Sequence, residues 1–358
     1  MTTPKGSQEP NGSPGLPDAS GPARLKDVAV LAGVSVKTVS NVVHDYPYVR
    51  PTTRARVQQA IATLDYRPNI PARNLRSRRT GVIALAVPEL DAPYFAELAH
   101  YVVRHAQNQG WIVLVDETGQ THEETLRERE RGAAAGVRRH LIDGAILSPL
   151  ALNDADLTEY GSVPLVLLGE RLDSHVADHV GVDNRAAAAA VTQHLLDTGR
   201  RRIAVIGAQP PPFGHTARLR LQGFRDAMQA AGVPVDESLV VAAPEWRRPA
   251  GAEAVRQLLQ HPQPPDAVFC FNDLLALGAL HALAAAGVRV PQEMAVAGFD
   301  DIEEARFSNP SLTSVAPDKE AIAEQAVLHL ARRLEPQEPW RPEEVAVGYT
   351  LQVRDSTG

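Results

Sequence analysis

A helix beginning at Val36 in SVKTVSNVV presents Val36, Lys37, Thr38 and Asn41 outward from its N-terminal part. An amine such as that of Lys37 donates to guanine O6 and N7, and a carboxamide such as that of Asn41 pairs bidentately with adenine, both in the major groove. Ser35, Tyr48, Thr53 and Tyr66 carry hydroxyls suited to phosphate oxygens, contacts that set register without reading sequence. Catalytic patterns do not accompany them. HExxH, Walker A and GxSxG are absent, no Cys/His spacing suits zinc, and the twelve histidines are scattered. His175 and His179 are four apart, but VADHV borders strand-like GVDN, which makes a poor metal pair. The expectation is no enzyme, no cofactor and no metal.

Three short helical patterns position these groups. LKDVAVLA sets Leu25, Val28, Ala29 and Leu31 inward, and Ala32-Gly33-Val34 turns the chain where a residue tolerating positive φ is needed. Ser35 is placed to cap the second helix, whose Val39, Val42 and Val43 also face inward, as does Val34. The third helix starts at Pro51, a residue suited to a first helical position, and runs through RARVQQAIATL. This is a helix-turn-helix arrangement, and the charge agrees with it. Between Arg24 and Arg79 stand eleven Lys and Arg against Asp27, Asp45 and Asp65, whereas the whole chain carries −7. A basic head on an acidic body concentrates positive potential where a polyanion docks.

Residues 1–22, rich in Gly, Pro and Ser, bury too little apolar surface to order and are expected to be a disordered tail. After Thr80 short apolar runs (GVIALAVPE, DGAILSP, RRIAVIGA, DAVFCFN, EMAVAGFD) alternate with longer amphipathic stretches. Alternating β and α over this length argues for two similar lobes, each a doubly wound parallel sheet with helices on both faces. The single cysteine, Cys270, lies in the apolar run AVFCF, reads as a core residue, and rules out an intramolecular disulfide framework. No apolar stretch is long enough to span a membrane and no signal-peptide pattern opens the chain, so a cytoplasmic location is expected, with no membrane partner.

DVAVLAGVSVKTVSNVV, then YRPNIPARNLR, and later GFDD and PSLTSV make the chain resemble the LacI/GalR family from about Leu25 to Arg354. The resemblance implies a helix-turn-helix DNA-binding domain over 23–68 and a hinge helix and linker over 69–79. It also implies a periplasmic-binding-protein-like effector-binding and dimerisation domain over 80–355. The expected lobes are about 80–180 with 295–318, and about 181–294 with 319–355. In the hinge, Asn69, Ala72 and Arg73 would lie in the minor groove and Leu75 would wedge between base pairs. The implied function is a transcriptional regulator, a repressor by preference, that binds a palindromic operator as a homodimer. A small polar effector, by preference a carbohydrate, would occupy the inter-lobe cleft and control it. For that cleft the resemblance nominates Tyr94, Phe95, Arg220, Trp246, Asn272 and Asp300. Asn272-Asp273 reads equally well as a helix cap, Asp300-Asp301 as a turn, and Arg220 as a helix-surface residue. The rival from another class is a cytoplasmic solute-binding sensor without operator binding. Arg24 and Arg50 replace the usual capping residues, Pro71 is unusual within the hinge but at the second helical position removes no intrahelical bond, and Gly169 stands where some relatives place a ligand-binding Asp.

Overall fold

The computed structural model describes residues 23–43, 46, 48–64, 66, 79–119, 123–138, 141–159, 163–169, 177–209, 214–335 and 339–358. The expected tail over 1–22 lies outside them, as do Asn69, Ala72, Arg73 and Leu75 of the expected hinge. The chain divides into two compact units, Met1–Arg78 and Arg79–Gly358.

The first unit contains α1 (Leu25–Ala32), α2 (Val36–Val43) and α3 (Pro51–Thr63). Val28, Ala29 and Ala32 meet Val39, Val42, Val57 and Ala60 in a small core that also takes in Tyr66. Leu31, expected inward, is 52% exposed, because Val28, Ala29 and Ala32 already fill the buried face of α1. Gly33 ends α1 in the left-handed conformation at φ 63°. Arg24 is no conventional cap, but Asp27 accepts its backbone N–H at 2.8 Å, so one N-terminal donor of α1 is satisfied from within the helix. Arg50 makes no side-chain cap bond either, and α3 starts instead on the preset φ of Pro51.

The second unit holds two six-stranded sheets. The first contains β1 (Val82–Val87), β2 (Ile112–Glu117), β3 (Gly144–Leu147), β4 (Leu165–Leu168), β5 (Asp178–Val182) and β11 (Glu344–Val347), in the order β11-β5-β4-β3-β1-β2. The second contains β6 (Ile203–Ala208), β7 (Val240–Ala242), β8 (Ala267–Cys270), β9 (Ala295–Phe299), β10 (Thr313–Pro317) and β12 (Tyr349–Gln352), in the order β12-β10-β9-β8-β6-β7. Every pairing is parallel except β10 with β12. Runs such as AVFC and AVAGF are buried throughout, as strands covered by helices on both faces must be. Cys270 belongs to that core, and burial pushes its thiol far up, which leaves it inert.

Helices α4 (Pro93–Asn108) and α12 (Lys319–Leu334) pack together on one face of the first sheet, while α5 (Glu123–Arg138) and α6 (Asp154–Glu159) belong to the same lobe. On the second sheet α7 (Asn184–Asp197) and α8 (His215–Ala230) cover one face. The other is covered by α9 (Arg248–Leu259) and α10 (Asp273–Ala285), with the short α11 (Glu303–Phe307) beside them. The expected lobe boundaries need correction. Residues 295–318 supply β9 and β10 to the second sheet, not the first, and α12 packs on the first sheet, not the second. The chain crosses between lobes near 183, near 318 and at Gly348, so β11 and β12, neighbours in sequence, finish different sheets. Periodicity identifies a strand but not its neighbour, which is why this exchange was not visible in the sequence.

Candidate nucleic-acid interface and effector cleft

In the head, the start of α2 is an exposed edge. Ser35, Val36 and Lys37 are exposed, while Thr38 and Asn41 are half-buried on the same helix. Ser35 Oγ accepts the Thr38 N–H at 3.1 Å and lies 2.8 Å from Thr38 Oγ1, so the cap fixes the Thr38 hydroxyl as well as the helix start. Tyr48 is 85% exposed, and Thr53 lies in the first turn of α3 and is half-buried. Tyr66 differs from its expected role as a surface phosphate contact. At 5% exposure its ring belongs to the head's core, where an aromatic seals the three-helix packing. Arg54, which sequence reasoning passed over, donates to the Tyr46 carbonyl at 2.7 Å and ties α3 to the segment after α2.

In the core, four of the six nominated effector residues meet on the second lobe. Arg220 on α8 is 6% exposed, so it is no surface residue. Its Nε donates to Asn184 Oδ1 at 2.8 Å, its Nη1 donates to the Phe271 carbonyl, and its guanidinium lies 3.4 Å over the Phe299 ring. The Asp300 carboxylate stands 3.8 Å from Nη2, and the Trp246 ring centroid is 5.4 Å from the guanidinium carbon. The Trp246 indole N–H donates to the Gly207 carbonyl at 3.0 Å, and the ring meets Phe271 edge-on at 6.2 Å. Phe271 and Phe299 are fully buried, so they back the site as core residues.

The strand ends explain how these groups are held. Asn272 accepts the Leu275 N–H at 2.9 Å and donates to the Trp246 carbonyl at 3.1 Å, so it caps α10 and fixes the backbone at Trp246. Asp300 and Asp301 both adopt positive φ, at 109° and 45°, a conformation that costs energy in residues with a Cβ. Their strain is offset by buried partners. Asp273 Oδ2 accepts the Ile302 N–H at 2.9 Å and Oδ1 accepts the Ser314 hydroxyl at 2.6 Å, and Ser314 Oγ in turn accepts the Asp301 N–H at 3.1 Å. Arg354 donates to Asp301 Oδ1 at 2.6 Å, and Lys319 donates to the carbonyls of Asp300 and Asp301 at 2.9 and 3.2 Å. Burial pushes the Asp300 carboxyl up to about 6, against the pull of Arg220 and Lys319 in the other direction. Asp273 is pushed well above the usual carboxylate range by burial and by the neighbouring Asp300.

The first lobe contributes differently. Tyr94 and Phe95 open α4, pack edge-on at 5.2 Å, and rest against the first lobe's core. One turn further on, Glu97 pairs with Lys319 Nζ at 2.5 Å, and through it α4 reaches the backbone of Asp300. Asn184, Asp273, Lys319 and Arg354 were missed as site-building residues. The available signal was the Asx doublet that closes several strands: DN at 183–184, ND at 272–273 and DD at 300–301.

Two family models match the chain: bacterial regulatory proteins of the lacI family over residues 24–69, and a periplasmic binding protein-like domain over 192–357. The transcriptional repressor PurR of Haemophilus influenzae is 34% identical over 317 residues, covering 87% of this chain and 91% of its own. The chain belongs to the LacI family. Among solved structures, the regulator CelR in complex with cellobiose is 34% identical, covers 93% of this chain and 99% of its own, and superposes at a TM-score of 0.68. The Lac repressor dimer bound to operator and the anti-inducer ONPF is 25% identical, covers 94% and 99%, and superposes at 0.81. This LacI-family chain is accordingly a DNA-binding transcriptional repressor, not an enzyme.

Proposed function

We propose that the repressor acts as a homodimer on a roughly palindromic operator, one head per half-site, and that a polar effector in the inter-lobe cleft sets its affinity for DNA. The observation that carries the reading is the exposed start of α2, where Ser35, Val36 and Lys37 stand clear of the head's packed core. Val36, Lys37, Thr38 and Asn41 then meet base edges, and Ser35, Tyr48 and Thr53 meet phosphates. Asn69, Ala72, Arg73 and Leu75 act in the minor groove, with Leu75 as the wedge that bends the duplex.

The effector is a carbohydrate in this reading. Arg220 and Asp300 offer charge-assisted hydrogen bonds to hydroxyls, and Trp246 with Tyr94 and Phe95 offers ring faces to the apolar side of a sugar. The CelR complex with cellobiose is a relative with that ligand class. The second copy docks on β2, an edge strand of the first sheet whose Ile112, Leu114 and Val115 are 51%, 53% and 37% exposed. An edge of that character invites another chain. With no described helix long and apolar enough to cross a membrane, we place the repressor with its DNA in the cytoplasm.

Selection from a random duplex library, at two salt concentrations and with Leu75→Ala, tests the reading. A palindromic consensus with a central pyrimidine–purine step, weakened by salt and by loss of Leu75, is expected. Well-folded protein that enriches no sequence, with or without pooled sugars, would overturn it in favour of a solute sensor.

A further inference from the structure

Arg247 immediately follows Trp246 and stands at the N-cap of α9 in the second lobe. Its guanidinium meets two carboxylates of the first lobe. Nη2 lies 2.7 Å from Glu89 Oε2 and 2.7 Å from Asp91 Oδ1, and Nη1 donates to Asp91 Oδ2 at 3.1 Å. Glu89 and Asp91 belong to the loop between β1 and α4, so the contact joins the carboxyl ends of two different sheets. It is partly shielded from solvent: the Arg247 and Glu89 side chains are 29% and 17% exposed, with Asp91 outermost at 75%. Both sides are braced. The Leu90 N–H in the acidic loop donates to Glu117 Oε2 at 2.9 Å, and on the other side Trp246 is pinned by its indole to Gly207 and by its carbonyl to Asn272.

The geometry points to Arg247 as a cross-cleft clamp, a positioning residue that holds the two lobes closed and ties their angle to the loop carrying Trp246. The ion pairs Arg104–Glu320, Lys319–Glu97 and Arg185–Asp226 each stay within one lobe, so rotation of the lobes leaves them intact. Arg247 must release Glu89 and Asp91 for the cleft to open. A ligand that draws the Trp246 loop toward or away from the first lobe therefore makes or breaks a bidentate pair, which gives the two lobe angles unequal free energies.

The test uses the full chain with neither DNA nor effector, so its failure leaves the repressor reading untouched. Cys270 is fully buried, and spin labels therefore go to introduced cysteines at Gln107→Cys on α4 and Gln229→Cys on α8, both exposed positions. Labelled protein is diluted with unlabelled protein so that electron–electron distances report a single copy. Arg247→Glu sets three carboxylates against one another and is expected to move the distribution to longer distances. Adding Glu89→Arg and Asp91→Arg to that variant is expected to restore the wild-type distribution. A distribution unchanged by Arg247→Glu, or one that stays open after the charge exchange, overturns the clamp. Should Arg247→Glu fail to fold, Arg247→Gln decides: a partial shift supports the clamp and an unshifted distribution overturns it.

Discussion

Each strand of the first sheet has a counterpart in the second, β2 with β7, β1 with β6 and β11 with β12, yet the groups at the carboxyl ends of the two sheets differ. In the second lobe a buried arginine is held by a carboxamide, a carbonyl and an aromatic face, beside a carboxylate on a strained turn whose backbone is held by Asp273 and Ser314 and, from α12 of the first lobe, by Lys319. In the first lobe the facing groups are two aromatic rings at a helix start and the acids Glu89, Asp91 and Glu97. One strand order thus supports a rigid polar wall and a softer, acidic one. What distinguishes them is how many partners each polar group has inside its own lobe, and that is open to experiment.

The largest effect is expected at Arg220. Its replacement by Ala leaves the Asp300 carboxylate, Asn184 Oδ1 and the Phe271 carbonyl without their donor, which should cost about 3–5 kcal/mol. Tyr94→Ala on the opposite wall, where the ring is only half-buried, should cost well under half as much. Denaturant unfolding of the two variants side by side measures the contrast, and equal losses would erase it.

Asp300 sharpens the same point through pH. Its folded carboxyl titrates at about 6, above the ordinary 3.8, so between those values the folded state holds a proton that the unfolded chain has released. The group therefore favours the fold in acid, and its contribution is lost as pH rises through about 6. Asp300→Asn also deprives Arg220 of a partner, a loss that grows as the carboxylate ionises and opposes the first effect. In the difference between variant and wild-type unfolding free energies, the gain from removing the shifted carboxyl should dominate. It should reach a slope of up to about 1.4 kcal/mol per pH unit in that window. A flat difference curve would show that burial does not dominate at Asp300.

Gly298 should come next, at about 1–3 kcal/mol for Gly298→Ala. The new Cβ would fall 2.1 Å from Asp273 Oδ1 and 3.1 Å from Leu312 Cδ2, displacing the carboxylate that supports the Asp300 loop. Proton-decoupled carbon spectra of Asp300 alongside unfolding curves would separate lost stability from a moved loop. The smallest effect on folding is expected at the edge of the first sheet. Leu114→Asp, on an exposed strand, should change stability by no more than about 0.5 kcal/mol. It should nevertheless convert the proposed dimer to monomer in sedimentation, whereas an acid at Ala242 on the second sheet's counterpart edge should not.

The fold class was legible because runs such as VIALAV and AVAGF alternate with longer amphipathic stretches, the pattern of buried parallel strands between helices, and because Gly33 and the valines of α2 mark a helix-turn-helix. Arg220, Trp246, Asn272 and Asp300 were legible through resemblance, and the structure brings them together on one lobe. The lobe boundaries were not, since pairing of β9 with β10 depends on a partner chosen in three dimensions. Nor were Asn184, Arg247 or Lys319, because a side chain's partners far along the chain leave no periodic trace. Tyr66 shows the converse: its hydroxyl suggested a surface role, but its ring was needed to close a core too small to do without it.

The late chain crossing at Gly348 has a consequence for synthesis. β11 completes the first sheet by pairing with β5, and β12 closes the second by pairing with β10, so both sheets wait for the same short stretch of chain. A nascent polypeptide that has emerged as far as β10 has ten strands in hand, but β5 and β10 each still lack the outer neighbour they have in the finished fold. The two lobes therefore become complete together on the ribosome, within a few residues of translation, rather than one after the other.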